Sequence, residues 1–420
     1  MGATLRIDTL AHGGDGVARL EGRAVFVPGT APGDLVEAEL LPGRENPLRA
    51  TLSGVVEPGP GRVRASCPKV GECGGCQWQH LSPEAQLEAK RETLAQALRR
   101  LGKIPSDELP EIRAIAAPLA RRYRRRARLA LGPGWALGLF ARGSRRIVPV
   151  FGDSSGCELL TEPLEAAVRR LGSALLEEPV PGLAHVEICE AGRASAELVL
   201  GEGAPFEPAV RAATRLLERL DGFAGLVVRG GERRRALAEP ALWDGEALLR
   251  PDVFAQASRE GNRRLVDEAL GALSPRPGER LLELYCGSGN FTFSLARAAG
   301  SVVAVEEEGV ALELARRATP AELESRVEWV ASRVESFRPV GSFDAVLLDP
   351  PRAGARGAVR LLGGLGARRI AYVSCDPATL ARDVGELVRL GHRVASAAVL
   401  DLYPQTYHLE AVVGLERRAA

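Results

Sequence analysis

Leu281-Leu282-Glu283-Leu284-Tyr285-Cys286-Gly287-Ser288-Gly289-Asn290 is an apolar strand that runs straight into a Gly-x-Gly turn. Glycines in such a turn let the backbone approach a ligand closely. The surrounding chain repeats the pattern. A helix is expected over 258–273, a strand over 280–284, then the glycine loop and a helix. Strand 301–305, helix 309–318, strands 327–331 and 343–348, helix 357–362, strand 369–373, helix 377–390 and two C-terminal strands complete the series. Apolar strands alternating with amphipathic helices predict a doubly wound, Rossmann-like and mostly parallel α/β sheet. Chemistry in such sheets sits at the carboxyl ends of the strands.

Three constellations fall at those ends. Gly-x-Gly alone is weak evidence, because dinucleotide sites share it and a plain strand–helix turn can carry it. Here no third glycine follows at the right spacing, and Glu306 ends the next strand, 17 residues after Gly289. An acid there can accept both ribose hydroxyls of a nucleoside. Without the third glycine and its pyrophosphate cradle, S-adenosylmethionine is favoured over NAD. Second, Asp349-Pro350-Pro351-Arg352-Ala353-Gly354 ends another strand in a rigid, extended rim that cannot continue as helix. Asparagine at the acid position would suit methylation of an exocyclic amine; Asp349 speaks against that chemistry. Third, Val373-Ser374-Cys375-Asp376-Pro377 puts a thiol just before a helix, where the dipole favours the thiolate.

Together these point to pyrimidine chemistry. Carbon 5 of a pyrimidine is not nucleophilic until a thiolate adds to carbon 6; after methyl transfer a base must remove the carbon-5 proton so that the enzyme is eliminated. Cys375 is the expected nucleophile and Glu410, in Pro404-Gln405-Thr406-Tyr407-His408-Leu409-Glu410, the expected base. His408 is the alternative, on the same face if both lie on one strand.

Upstream, residues 1–58 read as short alternating strands with frequent turn signals, among them Gly-Gly-Asp-Gly and Asn46-Pro47, which suggests a small β-barrel of about five strands. A Pro/Gly-rich link, 57–61, leads to Cys67, Cys73 and Cys76 in a Gly-rich loop. Cys157 is the natural fourth ligand, and the thiols signal zinc or an iron–sulphur cluster, between which spacing cannot choose. Ser82-Pro83 opens a helix to about residue 101. Three domains are expected: a barrel over 1–58, a central α+β domain over 59–250, and a catalytic domain over 251–420, on which the 83–101 helix can pack.

The 420 residues carry 55 Lys+Arg against 54 Asp+Glu, a net charge of +1 that conceals an asymmetry. From Ile112 to Gly152 there are ten arginines and no acid, so this segment holds +10 and the remainder −9. Guanidinium groups fork onto phosphate and stack on bases, so the segment reads as a footprint for nucleic acid; the alternative is acidic partners elsewhere in the fold. The charge-free stretch 129–141, interrupted by Gly132-Pro133-Gly134, is far short of the roughly 18 apolar residues needed to span a bilayer. No secretory signal is visible, so reduced cysteines and a cytoplasmic protein without membrane contact are expected.

These stretches resemble, in order and over nearly the whole length, the RNA uracil-5 methyltransferases, in particular the bacterial ribosomal-RNA branch with a TRAM barrel and a 4Fe-4S cluster. The match includes the cysteine loop with Gln77-Trp78, Tyr123-Arg124-Arg125-Arg126-Ala127-Arg128-Leu129, Phe254-Ala255-Gln256, the glycine loop through Phe291-Thr292, Asp349 to Gly354, Val373 to Pro377, and His408-Leu409-Glu410. The resemblance implies a 4Fe-4S cluster on Cys67, Cys73, Cys76 and Cys157. It also implies Cys375 as nucleophile, Glu410 as base, and Gln256, Tyr285, Asn290, Glu306 and Asp349 around S-adenosylmethionine. The implied substrate is RNA, and the Tyr-Arg-Arg-Arg run and the barrel lean toward 23S ribosomal RNA, with transfer RNA second; a monomer without a protein partner is expected. Three positions depart from the family pattern: Ser258 replaces the usual asparagine of Gln-Val-Asn, Asp376 follows the nucleophile in place of asparagine, and Arg333 stands where a polar contact to adenine is usual.

Overall fold

The computed structural model describes residues 2–43, 47–151 and 156–418, and every count of elements is a count among these. Asn46 and Gly152, named above in the turn signal and at the end of the arginine segment, lie outside the described residues. Strands β1 (Gly2–Leu10), β2 (Gly16–Leu20), β3 (Arg23–Val27), β4 (Leu35–Leu40) and β5 (Leu48–Glu57) close into a barrel in the order β1-β2-β3-β5-β4. Alternation puts Leu5, Ile7, Val25, Val27, Val36 and Ala38 inside it. At its exit, buried Asp34 accepts from the Gly59 and Ala31 N–H groups and pairs with Arg62 at 2.6 Å, which ties the Pro/Gly link to the barrel.

Helix α1 (Pro83–Arg100) starts where expected: the Ser82 hydroxyl accepts from the Ala85 N–H, and Pro83 takes the first turn. Strand β6 (Ile112–Ile115) follows. A central unit then contains β7 (Arg126–Leu131), β8 (Leu137–Phe140), β9 (Ile147–Pro149), α2 (Glu162–Glu177), β10 (Leu183–Ala191), β11 (Arg193–Leu200), α3 (Phe206–Glu218), β12 (Phe223–Gly230) and β13 (Arg233–Ala238). Its seven strands run β13-β12-β11-β10-β7-β8-β9, with the apolar stripes of α2 and α3 against one face. A two-stranded ribbon, β14 (Leu242–Trp243) and β15 (Leu248–Leu249), leads to the last unit.

That unit is the alternating one read from sequence. It comprises α4 (Arg259–Leu273), β16 (Arg280–Leu284), α5 (Thr292–Ala298), β17 (Ser301–Glu306), α6 (Gly309–Ala318), β18 (Val327–Ala331), β19 (Ala345–Leu348), α7 (Arg356–Leu365), β20 (Arg369–Ser374), α8 (Pro377–Arg389), β21 (His392–Leu400) and β22 (Glu410–Arg417). The strands order as β18-β17-β16-β19-β20-β22-β21-β6; β18 to β20 are parallel and β22 is antiparallel to both neighbours. Helices cover both faces: α1, α7 and α8 pack on Leu282, Leu284, Val346, Leu348 and Tyr372, while α4, α5 and α6 pack on Leu281, Ala304, Leu347 and Val373. The apolar runs of the parallel strands are the consequence of burial on both faces.

The sheet does not respect the boundary expected at residue 250. β6 adds to its edge parallel to β21, and α1 packs on α8. Two glycines permit that close approach, since a Cβ on Gly385 would lie 2.3 Å from the Gly102 carbonyl oxygen. Helix α1 also carries a fully buried lysine, Lys90, whose Nζ meets Asp401 Oδ1 at 2.5 Å and donates to the Tyr403 carbonyl at 3.1 Å. Removing one partner of a buried pair strands the other without compensation. Asp401→Ala is therefore expected to cost about 3–5 kcal/mol, read as a lower urea midpoint.

Candidate active site

The carboxyl ends of β16, β17, β19 and β20 open on one cavity of about 1340 Å³, and Gln256, Tyr285, Asn290, Glu306, Asp349, Cys375 and Glu410 all line it. Asp349, Cys375 and Glu410 come from three adjacent strands, β19, β20 and β22. Because β22 runs antiparallel, its first residue lies at the same end of the sheet as the last residues of the other two.

Cys375 follows β20 and precedes Asp376, which caps α8 by accepting from the Ala378 and Thr379 N–H groups at 3.0 and 2.8 Å. The first free N–H groups of α8 are thus taken by Asp376, not by the thiol. Burial, with the Glu410 carboxylate adding to it, instead pushes Cys375 up to about 11; hydrogen bonding and charge from Arg352 pull the other way. Glu410 is 2% exposed, and burial and the Asp349 carboxylate push its pKa well up, opposed by Arg352. Burial raises Asp349 as well. His408 lies in the loop before β22, not on the strand, so the shared-face argument fails; its ring meets that of Tyr407 in a tilted contact, centroids 4.3 Å apart. It still lines the cavity, but burial and the charges of Arg352 and Arg124 lower it to about 4, leaving it neutral near pH 7 and a weak base.

The donor end is held by backbone. Tyr285 takes a left-handed φ of +62°, a costly conformation for a non-glycine residue, and turns the chain into the glycine loop. Glu306 accepts from the N–H groups of Gly287 (2.9 Å), Glu307 (2.8 Å) and Glu308 (2.9 Å), which fixes its carboxylate at the end of β17. Asn290 and Asn262 of α4 exchange side-chain hydrogen bonds at 2.7 and 3.1 Å, and Tyr403 Oη donates to Gln256 Oε1 at 3.1 Å. Ser258 caps α4 through the Gly261 N–H. Arg333 is exposed beside Glu307 and does not line the cavity. Asn262, Tyr403 and the role of Arg352 were missed in the sequence, where nothing marks a helix-face asparagine or a loop tyrosine as facing a site. Arg352 was at least visible, beside the acid in the Asp-Pro-Pro run.

Comparison with known proteins now decides the family. Residues 3–53 match the TRAM domain, 281–350 a methyltransferase domain, and 332–418 the tRNA (Uracil-5-)-methyltransferase family. A protein of Alkalilimnicola ehrlichii described as 23S rRNA (uracil(1939)-C(5))-methyltransferase RlmD is 36% identical, over 99% of this chain and 96% of its own. The Pseudomonas putida protein of the same description is 38% identical, over 98% and 93%. The chain belongs to the RNA uracil-C5 methyltransferase family. The fold agrees: the crystal structure of Pyrococcus abyssi tRNA (uracil-54, C5)-methyltransferase in complex with S-adenosyl-L-homocysteine superposes with a TM-score of 0.74 at 26% identity, covering 98% of this chain and 99% of that one.

In this uracil-C5 methyltransferase the four expected cluster ligands, Cys67, Cys73, Cys76 and Cys157, line a second cavity of about 90 Å³. All are free thiols. Among the described residues no group of three or more His, Cys, Asp or Glu side chains forms a site for a metal ion, so geometry alone assigns no ion. The donor set nevertheless fits an anionic thiolate cluster. Donors point at three of the sulphurs: the Gly75 N–H at Cys73 (3.4 Å), the Gln79 amide at Cys76 (3.5 Å), and the Leu159 and Leu160 N–H groups at Cys157. Burial pushes Cys73 and Cys157 up and Cys76 to about 12. Arg124, stacked over Tyr123 and Tyr403, lines both cavities.

The arginine segment is not the continuous footprint expected from its sequence. Arg113 pairs with Glu268, Arg121 with Glu158, Arg122 with Glu165, Arg125 with Asp244, Arg126 with Glu187, Arg142 with Asp15 and Arg146 with Glu72. Arg128 and Arg145 are exposed and make no ion pair among the described residues. A run without acids is thus largely neutralised by acids distant in sequence. Among the described residues, no helix is long and apolar enough to cross a membrane.

Arg352 is the cation that opposes the burial of Cys375. In Arg352→Met the alkylation of Cys375, followed by mass spectrometry of its peptide across pH, is expected to need a higher pH than in wild type.

Proposed function

We propose that this enzyme transfers a methyl group from S-adenosylmethionine to carbon 5 of a uridine in 23S ribosomal RNA, through a covalent bond between Cys375 and carbon 6. The reading is carried by the meeting of Cys375, Arg352, Asp349 and Glu410 in the cavity that also holds the glycine loop. Bound S-adenosylmethionine supplies an electrophilic methyl group. Tyr285, Asn290, Glu306 and Gln256 hold it: Glu306 takes the ribose hydroxyls, and the tethered amides of Asn290 and Gln256 offer fixed polar contacts. A uridine turned out of its stack enters the same cavity.

Arg352 lowers the cost of charging the thiol as Cys375 adds to carbon 6. Asp349, at the rigid Pro-Pro rim, keeps the uracil edge and the donor in one place. Glu410 then takes the carbon-5 proton, and the thiolate leaves. Burial and the Asp349 carboxylate raise Glu410 well above an ordinary glutamate, which strengthens it as a proton acceptor once it is ionised. Neutral His408 is placed to pack against the substrate ring. Cys67, Cys73, Cys76 and Cys157 would hold a 4Fe-4S cluster, which supplies a rigid tie between the cysteine loop and the start of the 157–161 turn.

Ribosomal RNA is preferred to transfer RNA because the curated relatives matched at 36% and 38% identity over nearly the whole chain are described as 23S enzymes, whereas the transfer-RNA enzyme stands at 26%. The barrel and the exposed Arg128 and Arg145 would contact RNA phosphates, and the protein would act as a cytoplasmic monomer.

With 23S transcript and labelled donor, nucleoside mass spectrometry is expected to show 5-methyluridine; 5-methylcytidine, or product only on transfer RNA, would overturn this assignment. Cys375→Ala should lose activity by on the order of 10³-fold or more. Glu410→Gln should instead accumulate an enzyme–RNA adduct that survives denaturing electrophoresis, because addition and methylation proceed while elimination is blocked. Anaerobically purified protein should show iron–sulphur absorption that is absent in Cys76→Ser.

A further inference from the structure

The loop between β21 and β22, which ends at Glu410, is held by its carbonyl groups. Three successive ones are taken by residues from far upstream: Tyr403 by Lys90 Nζ (3.1 Å), Pro404 by Tyr123 Oη (3.1 Å), and Gln405 by the N–H groups of both Gln77 and Trp78 (3.0 Å each). Gln77 and Trp78 directly follow Cys76, so the last cysteine of the loop is one peptide bond away from the contact.

Gln405 is the joint. It is 7% exposed and sits at φ +70°, a left-handed conformation that a non-glycine residue keeps only where its surroundings over-determine it. Here they do. The Gln405 N–H donates to Gln86 Oε1 at 2.7 Å, and Gln86 Nε2 donates back to Gln405 Oε1 at 3.1 Å. Gln86 in turn donates to the Trp78 and Leu81 carbonyls. On the far side, the Trp78 indole donates to the Gly14 carbonyl at 3.1 Å, and Tyr407 packs against the cluster formed by Leu10, Ala31, Trp78 and Leu81. The barrel, the cysteine loop and α1 thus converge on the residues just before Glu410.

Glu410 is the first residue of β22, where the ladder would fray if the preceding loop were loose. A Thr406 turn, with its hydroxyl donating to the Tyr403 carbonyl at 2.8 Å and accepting from the His408 N–H at 3.3 Å, leaves little slack between Gln405 and Glu410.

We propose that Gln405 is a positioning residue for Glu410, coupling the order of the cysteine loop to the placement of the base. This rests on the reading of Glu410 as the base, and the coupling acts on elimination, not on the addition of Cys375, which is anchored separately by β20 and α8. Displacement of a catalytic group by about 1 Å costs on the order of 100-fold in rate.

The test uses the full-length protein with its cluster, 23S transcript and tritiated S-adenosylmethionine under single turnover. Gln405→Gly keeps the left-handed turn and its main-chain contacts but loses the side-chain half of the clasp, and Gln86→Leu removes both halves from the other side. In both, adduct formation and methyl transfer should run near the wild-type rate, while release of methylated RNA slows by about 10- to 100-fold and the adduct accumulates. Hydrogen exchange of the 405–410 amides should quicken in both variants and in Cys76→Ser, with 369–374 unchanged.

Release at the wild-type rate, or equal slowing of addition and release, would overturn the proposal in favour of an ordinary scaffold contact. If Gln405→Gly does not fold, Gln86→Leu carries the same outcomes. Glu410→Gln separates the two readings: without adduct there, the base assignment fails, and unchanged exchange at 405–410 in Cys76→Ser would then sink the coupling independently.

Discussion

Two carboxylates and a thiol are buried in the lining of one cavity, and nothing in their own chemistry favours that arrangement. Burial raises all three, and the charges of Asp349 and Glu410 oppose each other. The architecture has to impose their proximity, and it does so with neighbouring strands. β19 and β20 deliver Asp349 and Cys375 at their carboxyl ends, while the reversed β22 delivers Glu410 at its amino end. Arg352 is the compensating charge, carried on the rim that Pro350 and Pro351 stiffen. That rim is pinned from below by Asp383, which accepts from the Ala355 N–H at 2.7 Å and from the Tyr372 hydroxyl at 2.8 Å.

Much of this was legible in the sequence, because the parallel strands advertise themselves. Strands buried on both faces must be continuously apolar, so 281–284, 301–305 and 369–373 could be placed within a residue or so, and the motifs at their ends fell in place. The helix start at Ser82 was legible for a similarly local reason, needing only an oxygen before the first turn and a proline in it. Strand direction was not legible. Nothing in 392–417 says that β22 inserts antiparallel between β20 and β21, and the supposed pairing of His408 with Glu410 failed on where β22 begins. Long-range partners were equally invisible: Asn262 for Asn290, Tyr403 for Gln256 and Gln86 for Gln405 are separated by 28, 147 and 319 residues.

Charge was the most misleading signal. An acid-free run of arginines looks like a surface waiting for a polyanion, yet Arg125 is buried against Asp244 at 2.5 Å, and Arg126 holds Glu187 and three carbonyls around 251–255. These guanidiniums join the central sheet to the segment that leads into the cavity. Exposed pairs such as Arg146–Glu72 are a different matter: each is worth only about 0–1 kcal/mol, so a phosphate can displace the acid at little cost.

The insertion of β6 at the edge of the last sheet has a consequence for how the chain reaches its native state. Ile112 pairs with Ala397, so a strand made early in synthesis must wait for one made 285 residues later. Contacts of that span slow folding, because a long loop must close before the pairing is rewarded. Until then α1 presents Leu94 and Leu98, and buried Lys90, without the surface that covers them. The nascent chain therefore carries this apolar stretch uncovered until the C-terminal strands are made.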